Sequence, residues 1–223
     1  MHPRSESASR AALAALLVAT TLSAHAASAP PLPPSPVIDA NDFVLERTQV
    51  EWSESYLQWI AAFPRGSSPV ADATGASCGA RQDGPVWFLA TSDGTAPVTR
   101  ACAVPAGMTL FVPIAQITER SGNREPECDS MVRLAAGSLS QHVGQLSLAI
   151  DGVPVAGLEN HRLATGDCFA LGLRQVPRQP AKTAVADGWY VMLQPLSAGA
   201  HTLVVGSRFD NTPLSVTYHL DVR

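Results

Sequence analysis

Between Thr48 and Pro64 the apolar residues recur with a helical period. Trp52, Tyr56, Trp59, Ile60 and Phe63 fall within about 100° on a helical wheel, and Thr48-Gln49-Val50-Glu51 fits the capping-box pattern. Pro64 ends the predicted helix, and its aromatic face is expected to cover a sheet rather than to stack on a ligand. A loop rich in Gly, Ser, Ala and Asp fills 65–84, and beyond it the period changes. Val86 to Leu89 is a short run of aromatic and aliphatic residues, Ser92-Asp93-Gly94 turns it, and Pro97 to Val104 returns, so the spacing predicts a hairpin. Pro105-Ala106-Gly107 then leads into Met108–Val112, whose unbroken apolar character suits a strand buried on both faces at the centre of a sheet.

Glu119 to Asp129 is polar, and Asp129 is placed to cap a second helix carrying Met131, Val132, Ala135, Leu139 and Val143, interrupted by Gly137. Leu146–Ile150 alternates, Asp151-Gly152 tolerates positive φ, and Val153-Pro154-Val155 leaves the turn as a second hairpin. Asp167–Leu173 and Trp189–Leu193 are read as strands on either side of an Arg174–Lys182 loop. The end of the chain alternates most clearly. Pro195 to Gly199 turns, His201–Gly206 is a strand, Asp210-Asn211 turns, and in Leu214–Val222 the residues Val216, Tyr218, Leu220 and Val222 face one way while Thr217, His219 and Asp221 face the other. Short strands with Gly/Pro turns define a mainly β fold class, an antiparallel β-sandwich or jelly-roll-like domain with one or two packed α-helices.

Composition narrows the compartment. Of 223 residues 46% are hydrophobic and 15% charged, enough for one sizeable core. Net charge is −4 and Lys182 is the lone lysine, a balance that offers nothing to nucleic acid. Arg4 and Arg10 flank a polar start, Ala11–Leu22 is an apolar run too short for a bilayer span, and Ala24-His25-Ala26 is a small-x-small cleavage site. A secretory signal peptide over 1–26, cut after Ala26, is therefore expected, then a proline-rich linker over 27–41 and a single sandwich domain over 42–223, secreted or periplasmic. Four cysteines in an exported chain imply two disulfides. Sequence neighbourhood pairs Cys78 with Cys102 and Cys128 with Cys168, although three connectivities are possible.

The motifs WSESYLQWIAAFP, GPVWFLA, RACAVPAGMTLFVP, AIDGVPV and DGWYVMLQPLSAGAHTL together make residues 45–222 resemble a family of exported bacterial and archaeal proteins. That resemblance implies one secreted domain and carries over no catalytic residue. The turn in PLSAGAHTL is also similar to strand connections of immunoglobulin-like sandwiches, an analogy of fold alone.

Candidate chemistry is sparse. Gly75-Ala76-Ser77-Cys78-Gly79 matches the G-x-S-x-G nucleophile elbow, but 70–74 makes a poor strand and 81–85 cannot form the helix an elbow needs. His142, His161, His201 and His219 lack the spacing of a helical zinc pair, so a zinc site would need ligands converging from separate strands as in cupin-like jelly rolls, and Arg120 and Arg124 lie among Glu119, Glu125, Glu127 and Asp129; neither zinc nor calcium is expected. No Gly-rich phosphate loop or C-x-x-C appears, and no cofactor is expected. Asp187-Gly188-Trp189-Tyr190 sets a carboxylate beside two aromatics, one of which alternation sends outward. Asp187, Trp189 or Tyr190, and His161 are the candidate contacts for an extracellular or envelope ligand, a carbohydrate among the candidates. The expected role is a non-catalytic binding or structural module, with two alternatives: a hydrolase whose carboxylates converge only in the fold, and an envelope-assembly protein.

Overall fold

The computed structural model describes residues 35–64, 66–93, 96–122, 127–172 and 182–223. The expected leader, its Ala26 cleavage site, most of the linker, Gly94, Arg124, Glu125 and residues 174–181 lie outside them. In chain order the elements are α1 (Gln49–Ala61), β1 (Val86–Phe88), β2 (Val98–Val104), β3 (Thr109–Arg120), α2 (Cys128–His142), β4 (Val143–Ile150), β5 (Val153–Pro154), a 3-10 turn (Leu158–His161), β6 (Arg162–Ala164), β7 (Phe169–Ala170), β8 (Thr183–Leu193), β9 (Gly199–Phe209) and β10 (Thr212–Val222). They build two five-stranded sheets, β1-β3-β8-β6 with β7 also on β8, and β2-β10-β9-β4-β5. The fold is a β-sandwich with two helices, and its sheets are mixed rather than purely antiparallel, since β1 runs parallel to β3 and β2 parallel to β10.

The first expected hairpin does not form, because β1 and β2 belong to different sheets. Their burial explains the separation. Val86 and Trp87 are both buried and need cover on both faces, which β1 finds beside β3. In β2, Thr99, Ala101 and Ala103 are exposed while Arg100, Cys102 and Val104 point inward, the one-sided pattern of a sheet with a wet face. The Asp151-Gly152 hairpin forms as expected, with φ of 51° and 80° at the turn.

Apolar residues fill two layers. Val112, Val191 and Leu193 of the first sheet meet Leu203, Val216 and Leu220 of the second. On the other face of the first sheet, Phe111, Tyr190 and Met192 pack under Trp52, Tyr56 and Trp59 of α1, as the aromatic periodicity predicts. The capping box is complete: Thr48 Oγ1 accepts from Glu51 N at 3.2 Å, and Glu51 Oε2 accepts from Thr48 N at 2.8 Å. Helix α2 starts earlier than expected, at Cys128 after Glu127, so Asp129 lies in its first turn instead of capping it. Residues 36–38, at the end of the expected linker, continue the edge of β8 through Ile38 N to Met192 O and Gln194 N to Pro36 O.

Both disulfides follow the neighbour pairing, Cys78–Cys102 with Cα atoms 5.7 Å apart and Cys128–Cys168 at 5.3 Å. A chain holding two such bonds is built for an oxidising compartment. Among the described residues no helix is long and apolar enough to cross a membrane.

A cavity framed by two bulges, and a serine–histidine–aspartate contact

The candidate residues around β8 do not converge on one surface. Strand alternation sends Tyr190 toward α1, where it is fully buried against Phe111 and Tyr56, with ring centroids at 5.3 and 6.5 Å. Burial pushes its hydroxyl well above the usual tyrosine range. Asp187 is 2% exposed, and its carboxylate receives a two-pronged contact from Arg162, Nε to Oδ1 at 2.8 Å and Nη2 to Oδ2 at 2.7 Å. β6 places Arg162 opposite Trp189, and its guanidinium lies 5.8 Å from that ring. Trp189 is therefore half buried and flanked by a cation, not displayed as an open aromatic shelf. His161 is buried as well. Desolvation lowers its pKa, and its Nδ1 has no partner among the described residues.

The G-x-S-x-G match has a structural origin. Asp72 accepts from the backbone N–H groups of Thr74, Gly75 and Ser77 and from Thr74 Oγ1, at 2.7–3.2 Å. Partial burial raises the pKa of that carboxyl, but the donors outweigh it and bring it down to about 2. Gly75 sits at φ +92°, and a Cβ there would lie 2.7 Å from Ala101 N, with the Ala101 carbonyl oxygen nearer still. The first glycine thus lets the loop run against the outer edge of β2, where Ala101 N donates to Thr74 O. Cys128, Asp167 and Cys168 also cluster, but both thiols are spent in the disulfide, which removes the thiolate a metal would need.

Among the described residues the fold makes one triad-like contact that spacing does not reveal. His201 Nδ1 lies 2.7 Å from Asp151 Oδ2, and His201 Nε2 lies 3.2 Å from Ser197 Oγ. The order of groups is that of a serine hydrolase, but Nε2 is closer to the Ser197 carbonyl oxygen, at 2.9 Å. A carbonyl can only accept, so that contact is satisfied when Nε2 carries a proton, and the Asp151 contact when Nδ1 does. The aspartate contact, first among the causes, and the Ser197 carbonyl raise the histidine pKa against its partial burial. In its protonated form the ring ties the Asp151 turn to the Ser197 turn and has no lone pair with which to take the serine proton.

The second unanticipated feature is a cavity of about 100 Å³ between the sheets. Val112 and Ile114 line it from β3, and Val205, Ser207, Leu214 and Val216 from β9 and β10. Both sheets carry a register irregularity there. β3 shifts between Pro113 and Ala115, and β4 shifts between Gly144 and Ser147, opposite Ser207 on β9, with Gln145 at φ 52°. Of the lining residues only Arg208 is charged. It lies on the face of β9 opposite to Ser207, and its guanidinium donates to Gln145 Oε1 at 2.8 Å and Asn211 O at 3.1 Å. Phe209, 37% exposed, stands at the rim against the His142 ring, 5.5 Å away, and His142 in turn contacts Asp210 at 2.7 Å.

Fold and site together define a disulfide-stapled two-sheet sandwich with a small apolar cavity in its core layer. No family model and no curated protein matches the chain. Among solved structures, the Dscam1 Ig7 domain, isoform 5, is 10% identical, with 54% of this chain and 85% of that one covered at a TM-score of 0.21. The solution structure of Amebosin is also 10% identical, with 57% and 96% covered at a TM-score of 0.19.

Proposed function

We propose that the chain is a non-catalytic binding module of an extracytoplasmic compartment and that it takes a small, largely apolar molecule between its sheets. The observation that carries this reading is the cavity at Val112, Val205 and Leu214, held between two sheets that each depart from regular register beside it. Bulges re-aim side chains and are frequent next to functional sites. An interior otherwise close-packed has little reason to keep such a space. Two disulfides support the extracytoplasmic compartment. The carbohydrate alternative loses its support, because Asp187 is spent on Arg162 and Tyr190 is buried. A serine hydrolase, distinct from the carboxylate hydrolase expected as an alternative, has the Ser197–His201–Asp151 distances in its favour and the carbonyl contact at Nε2 against it.

Benzene is the probe for the cavity. It should raise the melting midpoint of the oxidised protein in a concentration-dependent way, since a ligand of the folded state stabilises in proportion to the logarithm of its saturation. Leu214→Trp, which projects into the space from a half-buried position, should abolish the effect. A midpoint indifferent to benzene would sink the reading. Turnover of p-nitrophenyl acetate that is lost in Ser197→Ala would replace it with the hydrolase.

A further inference from the structure

The cavity wall is not wholly apolar: Gln116, whose Oε1 is buried without a partner among the described residues, and Ser207 both line it. Leu203, Val205 and Ser207 are the consecutive inward residues of β9, all buried, and Ser207 is 7% exposed. Its hydroxyl makes no hydrogen bond among the described residues. The register explains why none is at hand. Its partner on β10 is Leu214, and on the β4 side it faces the irregularity between Gly144 and Ser147. Ser207 lines the cavity, so its hydroxyl is open to whatever occupies that space, where alanine or valine would suit a purely apolar wall. The hydroxyl therefore points to what the cavity holds.

We infer that the cavity is a receptor for a small uncharged molecule with an apolar body and one hydrogen-bonding group, and that Ser207 Oγ reads that group. The inference rests on the cavity reading and adds the ligand class. Val112, Ile114, Val205 and Val216 supply the apolar wall. Charge is excluded by the lining, which has no carboxylate and whose one cation, Arg208, is turned to the outer face and occupied by Gln145 and Asn211. An ion taken there would leave water for no counter-charge. Size sets the last limit. An apolar cavity of about 150 Å³ accepts benzene, whereas this one is about 100 Å³ and has the partly exposed Phe209 in its lining. The body is thus about one six-membered ring or a short branched chain, with any longer part trailing outward. Small alcohols and phenols have this character.

The test titrates the full chain, with both disulfides intact, with benzene, phenol and benzoate, following methyl NMR signals. Phenol should bind about tenfold more tightly than benzene, the ratio expected of one hydrogen bond, and benzoate more weakly than either. Ser207→Ala should bring phenol down to the affinity of benzene and leave benzene within about twofold. Leu214→Trp should remove all binding. Equal affinities for benzene and phenol in the unaltered protein, or a phenol preference that survives Ser207→Ala, would overturn the role of Ser207 and leave the cavity reading standing. Tighter binding of benzoate would overturn the uncharged class. Binding of none of the three would overturn the cavity reading itself.

Discussion

Among the described residues Arg100 is the largest fully buried side chain, 1% exposed, and none of its described partners is a carboxylate. Its Nε donates to Asp72 O at 2.7 Å and its Nη2 to Val70 O at 3.1 Å. Nη1 is shared among Ala90 O at 2.6 Å, Thr91 O at 3.1 Å and the Tyr218 hydroxyl at 2.7 Å. The guanidinium thus ties the loop before β1 and the crossing after it to the inner face of β2. It is neutralised by carbonyl dipoles, and Tyr218, whose phenol is raised to about 12 mainly by burial, donates in turn to Ala90 O. Arg100→Met keeps the apolar stem and removes every donor. Ala90 O retains Tyr218, so three carbonyls lose their partner, at about 1–3 kcal/mol each if they stay buried. Some of this is offset, since methionine does not have to be desolvated as a charge. The expected net loss is about 3–5 kcal/mol, a large share of a domain's stability of about 5–15 kcal/mol. Arg100→Lys should also destabilise, by about 2–4 kcal/mol, because one ammonium cannot serve both loops. Urea denaturation of the oxidised protein gives both numbers. A midpoint for Arg100→Met corresponding to less than about 0.5 kcal/mol would show that the loops are held by the disulfide and packing alone.

Gly75→Ala should destabilise by more than about 3 kcal/mol, since both φ and the Ala101 backbone oppose it, while Gly79→Ala, with only ordinary contact to Trp87, should cost under about 1 kcal/mol. Equal effects on melting would contradict the structural origin of that motif. His201 gains stability from its raised pKa, a gain fully present below its unfolded value of 6.5 and lost as pH rises through the folded value. His201→Gln should therefore lower the melting midpoint more at about pH 5.5 than at about pH 9, and a pH-independent difference would argue against the imidazolium. Trp59→Ala removes a ring packed on Tyr56, Phe63 and Phe88 whose Nε1 donates to Ala80 O, and should cost about 3–5 kcal/mol. Phe43→Ala, at a position 70% exposed, is the control and should fall within about 0.5 kcal/mol of the unaltered protein.

What could be read from the chain is what depends on near neighbours. The capping box of α1, its aromatic face, the Asp151-Gly152 turn and the alternation of β10 are each decided within about a dozen residues, and each is present. The missed hairpin failed for a related reason. Turn residues at 92–94 suggest reversal, but whether two strands pair or part into separate sheets depends on which faces need cover, and the partner of β2 is β10, at the far end of the chain. Arg100 could have raised suspicion, standing between Thr99 and Ala101 in a strand whose inward positions are otherwise Cys102 and Val104.

Ser207 carried no such signal, because a serine in an alternating strand is the ordinary outward residue. It is the phase of β9 that turns it inward, and the irregularity in β4 and Leu214 in β10 that leave it without a partner. Ser197, His201 and Asp151 illustrate the opposite error. They meet only in the fold and in the order of a hydrolase, yet a carbonyl 2.9 Å from Nε2 competes with the serine for that nitrogen. What separates the candidate groups of this domain is which of their hydrogen bonds are already taken. Asp187 is already engaged by Arg162, and His201 Nε2 lies against the Ser197 carbonyl. Ser207 gains its candidacy because its donor and acceptor are committed to nothing else in the described structure.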